Sequence, residues 1–95
     1  MSEFSIEKKM DEIDVARMLA DKRVRRELNC ILVELARAEQ LYPVWPEDEL
    51  KGVHIAANQI LEAICADRGS ERRRHKLHTT AAMCIRQLVN TELDK

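Results

Sequence analysis

Ninety-five residues suffice for one domain and leave no room for a second core, so the interior must be small. Hydrophobic residues are 45% and charged residues 35% of the chain, which excludes intrinsic disorder, and uncharged runs such as Val53–Leu61 are too short to cross a membrane. The net charge of −1 is too even to announce a nucleic-acid partner.

One Trp, one Tyr and one Phe, with two Gly and two Pro, suit a helical core of aliphatic residues better than strands. Four helices are predicted, near 5–20, 22–41, 47–68 and 71–90. They make an all-α, antiparallel bundle over 1–95, with 1–20 peripheral and 21–90 the core. The first runs from a Ser5 N-cap with a ragged apolar stripe. The second starts at Asp21, an N-cap residue type. Its Val24, Leu28, Ile31, Leu32, Leu35 and Ala38 follow a clear helical period.

Tyr42–Pro43–Val44–Trp45–Pro46 is a rigid connector, because a residue before proline avoids the helical region. Pro46 then suits the first position of the third helix, with Glu47, Asp48 and Glu49 on its positive end. Val53, Ala56, Ala57, Ile60, Leu61 and Ile64 form the inner stripe, Gly52 interrupts it, and Arg68–Gly69 stops it. Ser70 caps the fourth helix, whose inner face is Leu77, Ala81, Cys84, Ile85 and Leu88.

Charge alternates along the chain: −3 over 1–21, +2 over 22–46, −3 over 47–69 and +3 over 70–95. That pattern suits neighbouring helices pairing acidic against basic flanks. Cys30, Cys65 and Cys84 are odd in number and widely spaced, which reads as buried free thiols in a reducing, cytoplasmic setting. The N-terminal residues show no apolar leader segment.

Two stretches carry a resemblance. Tyr42–Leu61, YPVWPEDELKGVHIAANQIL, and Thr79–Leu88, TTAAMCIRQL, resemble the small, often phage-encoded members of the MazG-like all-α nucleotide pyrophosphohydrolases. Those proteins carry a Tyr-Pro-x-Trp-Pro connector, a helix opening His-Ala-Ala with a Glu-Glu-x-x-Glu motif, and a later Glu-Ala-x-x-Thr-Ala-Ala-Met followed by Arg. The resemblance spans roughly 28–90. It implies a bundle whose clustered carboxylates hold Mg²⁺, a hard ion that wants oxygen ligands and activates water against a phosphate chain.

Carried over by position, His54 marks the start of the motif helix. Asn58 and Gln59 then fall where paired glutamates belong, and Glu62 alone keeps its carboxylate. On the later helix Lys76 falls where a glutamate belongs and Thr79 where a further ligand is usual. Amides bind Mg²⁺ far more weakly than carboxylates, and an ammonium repels it. The resemblance therefore implies a degenerate relative with no catalytic residue, no metal and no cofactor. It would be a phage or prophage accessory protein that binds and modulates a host protein, and a homodimer through its second and fourth helices. The alternative is a residual Mg²⁺-dependent nucleoside triphosphate pyrophosphohydrolase or nucleotide binder.

Two basic runs remain, Lys22, Arg23, Arg25, Arg26 and Arg72, Arg73, Arg74, Lys76, both at helix starts where cations oppose the helix dipole. They are either solvated faces or contacts to an acidic protein surface or to phosphate. A nucleic-acid partner is the second alternative, although no aromatic is interleaved for base stacking. Trp45 is either a binding knob or a lid over the bundle end. His54, His75 and His78 lack zinc-ligand spacing with the cysteines, so no metal is expected there.

Overall fold

The computed structural model describes residues 14–91, and the expected Ser5 cap and first helical turns lie outside them. Residues 14–20 are helical and exposed, and are named α1. Three longer helices follow: α2, Lys22–Leu41; α3, Glu49–Cys65; and α4, Glu71–Asn90. Among the described residues there is no strand, so the chain is an all-α bundle. No described helix is long and apolar enough to cross a membrane.

Local chemistry explains the helix starts. The Asp21 carboxylate accepts the Arg23 backbone N–H at 2.8 Å, and the Ser70 hydroxyl accepts that of Arg73 at 3.1 Å. The third start differs from expectation. Asp48, not Pro46, opens α3, because its carboxylate accepts the N–H groups of both Leu50 and Lys51 and satisfies two orphan donors. α3 also ends at Cys65, before Arg68–Gly69. Gly69 instead takes a left-handed φ of 70° in the turn that leads to the Ser70 cap.

α4 is the central element. α3 packs antiparallel to it: Arg73, at the start of α4, meets the end of α3, and Gln87, near the end of α4, meets Gly52. α2 runs alongside in the same direction as α4, since Glu27 meets Arg74 and His78 while Ala38 meets Arg86. Both outer helices pack on α4 and not on each other. The basic starts of α2 and α4 are thus neighbours, and acid-against-base pairs join α4 to both outer helices, Arg74 to Glu27 of α2 and Lys76 to Glu62 of α3.

A central helix with one partner on each side explains the small core. Ala63, Ala82 and Met83 are its buried hydrophobic residues, joined by Gly52 and Arg86. The expected inner stripes are only partly covered. Leu28, Leu32, Val53, Leu61, Ile64, Leu77 and Leu88 stay exposed, Leu32 at 57% and Leu88 at 75%. Cys65 and Cys84 are likewise exposed and Cys30 half-buried, so the expectation of buried thiols is corrected. Each outer helix has one neighbour to cover it, and an apolar stripe wider than one contact is left facing water.

Gly52 does more than interrupt a helix. A Cβ there would lie 2.8 Å from Trp45 Nε1 and closer still to Gln87 Oε1. Those two atoms are hydrogen-bonded to each other at 2.9 Å. The glycine makes room for that bond, which ties the connector to α4.

Candidate functional site

The helical period puts residues 58, 59 and 62 of α3 along one edge, and residues 76 and 79 of α4 along another. The structure brings three of these side chains together. Lys76 Nζ lies 2.6 Å from Glu62 Oε2 and donates to Gln59 Oε1 at 3.5 Å. The Lys76 ammonium, by hydrogen bond and then by charge, holds the Glu62 carboxyl below its ordinary value, with a smaller contribution from Arg72.

Gln59, Lys76 and Thr79 line one cavity of about 610 Å³ between α2, the connector, α3 and α4. Trp45, Met83 and Arg86 close it at the connector end. Glu62 borders the adjoining cleft beside Arg72. Thr79 donates its hydroxyl to the His75 carbonyl at 3.0 Å, a back-bond within its own helix. Asn58 is exposed and lines neither space. Chemically, this is a carboxylate already neutralised by a tethered cation, with amide and hydroxyl groups around it.

The basic runs are largely committed to the fold. Arg73 donates to the carbonyls of Ala63 (2.9 Å), Ile64 (3.1 Å) and Ala66 (2.6 Å), capping the C-terminus of α3. Arg74 pairs with Glu27, and Arg23 with its own cap residue Asp21 at 3.0 Å. Arg26 reaches Glu27 at 3.5 Å. Lys22, Arg25 and Arg72 make no ion pair among the described residues. Lys22, Arg25 and Arg26 line an open cleft of about 640 Å³ with Arg74, His75 and His78.

Trp45 is held in place. Its indole N–H is bonded to Gln87, and the Arg86 guanidinium stacks 4.8 Å from its ring centre. Arg86 is 4% exposed and donates to the carbonyls of Ala38 (3.4 Å) and Tyr42 (2.5 Å), capping the C-terminus of α2. α4 therefore caps both of its neighbours, with Arg73 at one end and Arg86 at the other. Sequence reasoning missed both roles. The only signal was Arg86 standing after Thr-Ala-Ala-Met.

The three histidines are dispersed. His54 is exposed on α3, His75 faces Glu34 at 3.6 Å, and His78 Nε2 sits 2.6 Å from Glu27 Oε2. No protein-family model matches the chain, and no curated protein or solved structure matches it either.

Proposed function

We propose that the chain is a non-catalytic protein-binding or regulatory module on a MazG-like helical scaffold, a phage-type accessory protein that acts by contact with a host protein. The observation that carries this reading is the Lys76 ammonium against Glu62 at 2.6 Å. On this reading Lys76 replaces a glutamate ligand of the resembled family, and its ammonium occupies the one surviving carboxylate in place of a metal. Gln59 turns its amide oxygen toward the same ammonium.

The uncovered apolar surface supports association with a partner. Leu32, Val33, Leu88 and Val89 are each more than half exposed, which supports a homodimer through α2 and α4.

The test is direct. Purified protein incubated with Mg²⁺ and a panel of nucleoside triphosphates is expected to give no pyrophosphate and no nucleotide-dependent rise in melting temperature. Turnover that disappears in a Glu62→Gln variant would overturn the reading and restore the hydrolase alternative.

A further inference from the structure

We propose that Glu27, Cys30 and His78 form a zinc site that joins α2 to α4. One ligand atom from each residue lies within 4.8 Å of the other two, and all three residues are half-buried. Glu27 and Cys30 are three apart on α2 and so share a face, and His78 meets them from α4. Spacing in the sequence hides this set, because 47 residues lie between its cysteine and its histidine.

The donor set selects the metal. One thiolate, one imidazole and one carboxylate suit Zn²⁺, whereas Mg²⁺ and Ca²⁺ take oxygen alone. Zinc bonds of about 2.0 Å to N and O and about 2.3 Å to S require ligand atoms roughly 3.3–3.5 Å apart. The Glu27 Oε2 to His78 Nε2 distance of 2.6 Å must widen to admit the ion, by about 0.7 Å, which a side-chain rotation supplies. Arg74 holds the other carboxylate oxygen, Oε1, and so leaves Oε2 as a single-point ligand oriented from behind. Cys30 and His78 also border the open cleft of α2 and α4, from which a water completes the tetrahedron.

Charge balances in the complex. Zinc replaces the hydrogen bond between His78 Nε2 and Glu27 Oε2, binding the neutral imidazole through Nε2 with its proton on Nδ1, and the Cys30 thiol releases its proton to solvent. Carboxylate and thiolate then neutralise the dication, which lets it sit beside Arg74, Arg25 and Arg26. The site also has a structural rationale. α2 has no buried residue, so a bond to α4 strengthens the joint that packing leaves weakest.

The experiment uses the full chain. Co²⁺ titration is expected to give a thiolate charge-transfer band and the intense d–d bands of a tetrahedral site at one ion per chain. Zn²⁺ competing against a chromophoric chelator gives the affinity. Cys30→Ser and His78→Gln each weaken binding by at least about a hundredfold, while Cys65→Ser with Cys84→Ser leaves it unchanged. Zn²⁺ raises the melting temperature of the native chain and not of Cys30→Ser, whose near-isosteric change preserves the helical circular dichroism. Binding that survives Cys30→Ser, that needs Cys65 or Cys84, that takes one ion per two chains, or that is absent altogether overturns the site.

Discussion

Arg86 shows how one side chain can hold several elements. Its guanidinium is buried, donates to two carbonyls at the end of α2 and stacks on Trp45. Arg86→Ala leaves the Ala38 and Tyr42 carbonyls without their donor and removes the stack. A loss of about 3 kcal/mol in denaturant-measured stability is expected, with Arg86→Lys recovering only part because an ammonium lacks the planar fork. Gly52 gives the second residue-scale prediction. In an open helix Gly→Ala gains about 1 kcal/mol, but here the new methyl meets the Trp45–Gln87 hydrogen bond. Gly52→Ala is expected to destabilise by about 1–2 kcal/mol and to shift Trp45 fluorescence toward that of a solvated indole. Neither role was legible in the sequence, because contacts between distant segments, Arg86 to the carbonyls of α2 and Gly52 to the Trp45–Gln87 pair, leave no local pattern.

Between elements, what was legible is what is decided locally. Asp21 and Ser70 cap α2 and α4 as their residue types suggest, and the prolines end α2. The start of α3 was displaced because three acidic residues follow Pro46 and the second of them, Asp48, makes the cap. The exposure of Leu88 and Cys84 was not legible, since a helical stripe records a preference for cover and not whether this chain supplies it. The α3–α4 ion pair sets a pH dependence. The folded Glu62 and Asp21 carboxyls lie below their ordinary values of 4.5 and 3.8, through Lys76 and Arg23 respectively. A depressed carboxyl contributes stability that is complete above its unfolded value and is lost as pH falls through the folded one. The melting temperature is therefore expected to hold down to about pH 5 and to fall below it. The gap between the native chain and Lys76→Met, which lacks the Glu62 partner, should narrow over the same acidic range.

The whole molecule is short of interior. Among the described residues Ala63, Ala82 and Met83 are the buried apolar side chains, as a central helix flanked on two sides allows. In the proposed homodimer a second copy covers the exposed apolar side chains of α2 and α4. Light scattering at concentrations on the order of tens of micromolar should give twice the 11.0 kDa chain mass, and Leu32→Glu with Val33→Glu should return the monomer. A native particle of one chain mass would remove the dimer. The candidate site was legible in part: the resemblance sets Asn58, Gln59, Glu62 and Lys76 at one site, and Gln59, Glu62 and Lys76 do meet, whereas the outward placement of Asn58 depends on how α3 is rotated against α4. The most direct measurement restores the carboxylates. Gln59→Glu, Lys76→Glu and Thr79→Asp together are expected to give a Mg²⁺-dependent rise in melting temperature, with the native chain unmoved by the same Mg²⁺. A rise in the native chain, or none in a folded triple variant, would contradict a MazG-like site closed by its own lysine.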